Sequence, residues 1–345
     1  MQGHRNQKDT FAQKLAFGLS VLIVGFCTTG RAQTTETAKS LDLKWDAFVD
    51  VEGRLSSDSM LPSRGFTVND GALYLQRDFN RAKAYVGLPF FSDVSGGTNR
   101  FVFADQRAQA YIEVDRWAPW SFTLGQYETF LGIERNASRD RFFANVGLLK
   151  SFLLPSTHTG FLAIYQLPSV LLRAQLTDPS GAGSLGQANP EIGLQASTKP
   201  NAPMTGAVGL TYNQAPVSAV NGNTNLLVDF TGAMTVSKTK IQGEFDFKEI
   251  PNSTKVELGL GVFGSHPFSE SVSFGGRFEL LSNPYLATLP NNGGVYDSAV
   301  EFAAGPLYRF ERDLIMRGDL GIINYSVSGN NSTSFVASLS LVAEI

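Results

Sequence analysis

The chain has 345 residues, of which 17 % are charged, with 34 Gly, 26 Phe and a net charge of −3. Length alone would allow two domains, yet a barrel or sandwich of this size is often one. The acidic balance offers no basic stripe for nucleic acid. The single cysteine, Cys27, sits in the leader. Once the leader is removed, no disulfide framework, cysteine nucleophile or Cys-based metal site is available.

The N-terminus reads as a secretory signal. Arg5, Lys8 and Lys14 form a basic region, residues 15–26 an apolar run, and Gly30-Arg31-Ala32 a small-x-small cleavage site. Residues 1–32 are therefore expected to be a signal peptide and 33–345 the exported chain. Its removal leaves 24 basic against 30 acidic residues, a net charge of −6. The run is short for an anchor helix, and Phe26 stands before Cys27 where a lipoprotein signal has a small residue.

No later segment has the roughly 18 consecutive apolar residues that a membrane helix requires. The recurring pattern has period two. In 41–55, Leu41, Leu43, Trp45, Ala47, Val49, Val51 and Leu55 share one face. Asp42, Lys44, Asp46, Asp50, Glu52 and Arg54 share the other, broken by Phe48. In 101–117, Val102, Ala110, Ile112 and Val114 oppose Asp105, Arg107, Glu113 and Asp115. Leu226, Val228, Phe230 and Met234 oppose Asp229 and Thr231, and Ile241, Phe245 and Phe247 oppose Gln242, Glu244 and Asp246. The chain ends with Phe335, Ala337, Leu339, Leu341, Ala343 and Ile345 on one face and Ser334, Ser338, Ser340 and Glu344 on the other.

A soluble sandwich also alternates. Two features favour a transmembrane antiparallel β-barrel. Ionic faces recur from strand to strand, as a polar lumen demands, and connections alternate between short and long, as with periplasmic turns and extracellular loops. Short turns are expected at 78–80, 116–120, 167–169, 199–203, 237–240, 264–270 and 306–313. Long loops are expected at 56–66, 92–99, 130–157, 178–190, 214–225, 282–294 and 326–332. A short loop at 251–254 interrupts the rhythm. This gives about 16 strands, with 14 to 18 as bounds, each near the 9–11 residues of a tilted membrane strand. Both termini then face the periplasm. Trp45, Trp117 and Trp120 fall near strand ends, where an interfacial girdle would lie.

A barrel of about 16 strands leaves an aqueous channel. The expected function is passive diffusion of small hydrophilic solutes or ions across the bacterial outer membrane. Outer-membrane lipid is then the surrounding partner, and homotrimer and monomer both stay open. No nucleic acid, cofactor or metal is expected. Candidate pore-lining residues are Asp50, Glu52, Asp105, Arg107, Glu113, Arg173, Asp229, Glu244, Asp246, Glu257, Arg277, Glu279, Glu301, Arg317 and Asp319. Acids outnumber bases, which predicts mild cation preference. The excursion 130–157 carries Arg135, Arg139, Asp140, Arg141 and Lys150, with a helix-compatible stretch at 138–149. It is expected to fold into the lumen as a constriction, its basic residues facing wall acids. The alternative is a loop packed outside the rim.

No catalytic residues are expected. Ser156, His158 and Asp140 could be drawn as a triad, but no spacing supports one. His158 at a strand start suits a capping or rim role. HExxH, GxSxG and P-loop motifs are absent. A non-conducting structural or receptor/adhesin barrel and a soluble secreted β protein are the competing readings.

Residues 125–134, GQYETFLGIE, and 139–160, RDRFFANVGLLKSFLLPSTHTG, resemble the β-barrel porin-2 (OmpL-like) family. Gly125, Tyr127, Thr129, Gly132 and Glu134 match the first part of its pattern, and His158, Thr159 and Gly160 the last. Phe130 stands where the family usually has Pro, and Ile345 ends the chain where barrels usually carry an aromatic residue. The resemblance implies an outer-membrane porin-like barrel. It brings no substrate and no catalytic residue.

Overall fold

Period-two burial runs through the strands, because each strand separates two different environments. The segment Glu191–Thr198 alternates buried and exposed residues from Glu191 to Ala196. The computed structural model describes residues 43–57, 64–93, 100–103, 107–178, 190–199, 202, 204–213, 226–249, 256–282, 296–311, 313–327 and 330–345. The predicted signal peptide lies outside them.

The chain forms a closed antiparallel barrel of 16 strands in sequence order. They begin with β1 (Leu43–Ser56), β2 (Arg64–Phe79) and β3 (Ala82–Asp93). The strand β4 is interrupted. Its halves, Arg100–Phe103 and Gln109–Trp117, pair with successive stretches of β3. Next come β5 (Trp120–Glu128), β6 (Thr157–Gln166), β7 (Val170–Asp178) and β8 (Glu191–Thr198). They are followed by β9 (Met204–Tyr212), β10 (Leu226–Val236), β11 (Thr239–Glu249) and β12 (Val256–Pro267). The last four are β13 (Val272–Ser282), β14 (Tyr296–Glu311), β15 (Leu314–Val327) and β16 (Asn330–Glu344). Closure comes from β1 against β16, in register from Phe48↔Glu344 to Ser56↔Val336. No sheet edge remains there, the condition for strands in lipid. Among the described residues, no helix is long and apolar enough to cross a membrane.

Short turns separate β2 from β3, β4 from β5 and β10 from β11, as the sequence predicts. The predicted loop at 326–332 is shorter than expected. β15 and β16 pair up to Val327↔Asn330. Ser and Asn read there as loop residues, but they continue the ladder at an exposed rim. Likewise β14 runs through Pro306 to Glu311, so that turn starts later than predicted.

The outer face is apolar. Leu43, Val51 and Leu55 of β1 are exposed, while Phe48, Asp50 and Glu52 are buried. Phe48, which breaks the polar alternation, therefore points inward. Trp45, Trp117 and Trp120 are exposed at the short-turn end. Trp120 stacks on Phe122 at 6.1 Å. A bulge at Asp50/Val51 leaves Asn69 of β2 without a ladder partner. Such a bulge re-aims a side chain, and Asn69 reaches the Ala144 carbonyl inside the barrel at 3.3 Å.

Candidate functional site

Side chains directly opposite across a ladder share a face. The register therefore fixes which residues meet inside. Asp50 lies opposite Asp70, Asp229 opposite Asp246, Lys248 opposite Glu257, Glu279 opposite Glu301 and Arg317 opposite Ser340. The same parity puts Glu52, Glu113, Arg173, Glu244, Arg277 and Asp319 on the inner face. Arg107, in the gap of β4, bonds Asp70 at 2.9 Å. Asp105 lies outside the described residues.

Residues 129–156 leave the wall between β5 and β6 and run across the inside. Gln195 of β8 donates to the Phe130 carbonyl at 2.7 Å. Gly132 and Ile133 donate backbone N–H groups to Asp229 of β10 and Glu244 of β11, at 3.2 and 3.0 Å. Ser138 N–H reaches Asp70 of β2 at 2.7 Å, and Ala144 and Asn145 N–H both reach Asp319 of β15, at 2.7 and 3.1 Å. Leu148 N–H reaches Glu279 of β13 at 2.7 Å. Arg54 of β1 donates to the Asn145 side chain at 2.6 Å, which in turn donates to Ser338 of β16 at 2.9 Å. A segment that touches strands on opposite sides of a closed ring lies within it.

Two of the loop bases, Arg139 and Arg141, face wall acids, but most of the bonding is of another kind. Wall carboxylates receive the segment's backbone N–H groups, each a charge-assisted bond. The wall arginines serve its oxygens: Arg277 holds Glu134 at 2.8 Å and Arg317 holds the Ser138 carbonyl at 2.5 Å. Of the segment's own charges, Arg139 meets Asp46 at 2.6 Å and Arg141 approaches Asp70 at 3.8 Å. Arg135 lies 4.0 Å from Glu128 at its own base. Lys150 donates to the Pro155 carbonyl at 3.3 Å, and Asp140 is exposed. Burial pushes the Lys150 ammonium down to about 8, against the opposing fields of Glu128, Glu134 and Glu244.

The helix-compatible stretch 138–149 does not form one continuous helix. A 3-10 turn covers Ser138–Asp140, and one short helix, α1, covers Leu148–Phe152. Between them the N–H groups of Ala144, Asn145 and Gly147 go to Asp319 and Glu134. Those donors are not free for i→i−4 bonds.

Apolar packing completes the seal. Leu131, Leu148, Leu149, Leu153 and Leu154 pack with the inward Leu227, Leu281 and Ala299. Each buried leucine contributes about 1.5–3 kcal/mol. Gly132 has φ +80°, and a Cβ there would strike Leu154. Gly125 has φ +128°, and a Cβ there would strike the Ala110 carbonyl. Only glycine fits either position cheaply.

The motif residues thus form the root and tether of the inward segment. Tyr127 is buried and donates to Gln175 at 3.3 Å. Thr129 lies 3.0 Å from His158 Nε2, and Glu191 lies 3.2 Å from His158 Nδ1. His158 is 1 % exposed on the inner face, which corrects its expected rim position. Asp70, Asn69, Glu134 and Glu191 are anchors that sequence reasoning missed. Their partners are backbone groups or distant strands, which leave no local pattern.

Beyond the segment, one part of the inner wall keeps contact with solvent. Rings of Tyr74, Tyr85 and Tyr111 follow one another across β2–β4, with centroids 5.8 and 4.9 Å apart, and the buried Phe48 closes the row 6.3 Å from Tyr74. Arg139 lies over Tyr74 at 4.9 Å. Lys83 and Glu113 pair at 3.2 Å with about a third of each side chain exposed. A cavity of about 510 Å³ opens between the segment and the inner faces of β9–β12, lined by Glu134, Arg141, Thr205, Thr231, Lys240 and Gln242.

A closed 16-strand barrel, apolar outside and ionic inside, with an inward segment between β5 and β6, is a membrane barrel of the porin class. The sequence comparison agrees: the chain belongs to the family described as "Putative beta-barrel porin-2, OmpL-like", matched over residues 63–345. It is an outer-membrane porin, a diffusion channel. No curated protein matches the sequence. The fold resembles the outer membrane channel DcaP of Acinetobacter baumannii, with 8 % identity and TM-score 0.66, covering 91 % of this chain and 100 % of that one. It also resembles an anion-selective porin from Comamonas acidovorans, with 11 % identity and TM-score 0.61, covering 88 % and 99 %. A trimer form of OmpT from Vibrio cholerae has 12 % identity and TM-score 0.58, covering 88 % and 99 %.

Proposed function

We propose that small hydrophilic solutes and ions cross this porin through the part of the lumen that the inward segment leaves free, with 130–157 as the constriction. The observation that carries the reading is the contrast in exposure. Charged wall residues under the segment are nearly closed to solvent, whereas Lys83 and Glu113 keep about a third of their side-chain surface. Passage depends on the remaining width and the charges beside it. Among the predicted wall residues acids outnumber bases, so the pore favours cations mildly. The neighbour named as anion-selective is a different case in that respect.

A second reading has its own support. The leucine cluster and the tethers through Asp70, Glu279 and Asp319 would also suit a non-conducting barrel used as scaffold or receptor. Reconstitution in a planar bilayer separates the two. Stepwise currents that favour cations across a salt gradient are expected. Silence at every voltage overturns the pore and supports the closed barrel.

The likeness to an OmpT trimer form supports a homotrimer here; mass measurement in detergent tests it. No catalysis is assigned. Both ring nitrogens of His158 are engaged by neighbours in a buried site, which suits a structural role.

A further inference from the structure

Asp229 of β10 and Glu244 and Asp246 of β11 bring one carboxylate oxygen each to within 4.8 Å of one another. Asp229 lies directly opposite Asp246, and Glu244 follows two residues away on the same face. The three are 0 %, 3 % and 0 % exposed. Like charges directly opposite on a ladder repel, and an ionised carboxylate removed from water needs a partner.

The partners available do not match that charge. Gly132 N–H serves one oxygen of Asp229, and Ile133 N–H one of Glu244. Asp229 Oδ1, Glu244 Oε1 and both oxygens of Asp246 are buried with no hydrogen-bond partner. The neighbouring cations are directed elsewhere. Lys150 donates to the Pro155 carbonyl, and Lys248 pairs with Glu257 at 3.2 Å. Glu134, the next acid, is held by Arg277.

We propose that Asp229, Glu244 and Asp246 bind one hard divalent cation of the calcium class, which fixes the start of the inward segment to the wall. The donor set is oxygen only, the kind that hard cations select over zinc or copper. Three carboxylates against two positive charges leave one negative charge. The N–H groups of Gly132 and Ile133 face it across the same side chains. Water completes the six to eight oxygens that calcium takes. The sequence alone carries no sign of this site, because its three acids come from two separate segments. The triad arises only when two strands pair.

The test is calcium titration calorimetry on the full chain, folded in detergent micelles and stripped with a chelator. One calcium per chain is expected. Asp246→Asn should bind at least about tenfold more weakly, while Glu270→Gln, in the β12–β13 turn, should bind as the parent does. Retained heat-modifiable gel mobility certifies that each variant is folded. A second measurement needs no variant: added calcium should slow backbone hydrogen exchange in peptides covering 130–149. No saturable calcium heat, or equal binding by Asp246→Asn, overturns the site and leaves three carboxylates that share protons. Neither readout involves conductance, so failure here and failure of the pore are distinguishable.

Discussion

The inner wall has two unlike regions. From β10 through β16 and into β1, a belt of charged side chains is sealed under the inward segment, while Lys240 of β11 faces the cavity beside it. Asp50, Glu279 and Arg317 are at most 1 % exposed. On β3 and β4 the side chains Lys83, Tyr85, Tyr111 and Glu113 stay partly open. Both regions carry charge, so composition alone does not distinguish them. What differs is the partner. Asp70, Glu279 and Asp319 accept backbone N–H groups of the segment, whereas the open Glu113 pairs with Lys83 across its own ladder. The same residue type is structural in one region and faces the proposed passage in the other.

That contrast is broken most directly by removing what seals. Deletion of 138–149 takes out the tethers at Asp70, Asp319 and Glu279 together. Single-channel conductance should rise several-fold, because the free cross-section widens. Unchanged conductance would mean that the segment does not set the narrowest point. The next effect in size is on stability. Arg277 is fully buried among Glu134, Glu279 and Glu301, at 2.8, 3.5 and 2.5 Å. Arg277→Ala leaves those acids without their cation and should cost about 3–5 kcal/mol in urea unfolding from micelles. Lys83→Ala, in the open region, should cost less than about 1 kcal/mol. Equal losses would erase the distinction.

The sequence showed which residues face inward but not which of them would be sealed. Parity was legible because outward and inward neighbours meet different solvents, so Leu43, Trp45 and Val51 separate cleanly from Asp50 and Glu52. Strand number followed from the spacing of the turns. The path of 129–156 was not legible. Its anchors are backbone N–H groups, which every residue but proline carries, and the wall acceptors Asp70, Asp229, Glu244, Glu279 and Asp319 lie 68 to 175 positions away. The stretch 138–149 is helix-compatible by composition, but Asp319 and Glu134 take the donors that a helix would use. The tethering role of the GQYETFLGIE run becomes visible only with Asp229, Glu244 and Arg277 beside it.

Selectivity should follow the open region. Glu113→Gln removes one partly exposed acid and should lower the cation-to-anion permeability ratio by less than about twofold. Reversal potentials across a salt gradient measure it. A larger effect from Glu279→Gln than from Glu113→Gln would place the passage on the sealed side and reverse the comparison.

The smallest effect is also the one that probes the boundary between the regions. Burial leaves the Lys150 ammonium at about 8, so it carries its charge below that pH and loses it above. Raising the pH from 6.5 to 9 therefore removes one positive charge from the segment and should increase cation preference slightly. Lys150→Met lacks that charge at every pH, so its reversal potential should start nearer the high-pH value and change less over the same range. An identical pH response in both proteins would assign the titration to other groups. It would also show that a charge buried beneath the segment does not reach the solute path, which is the sharpest form of the difference between the two walls.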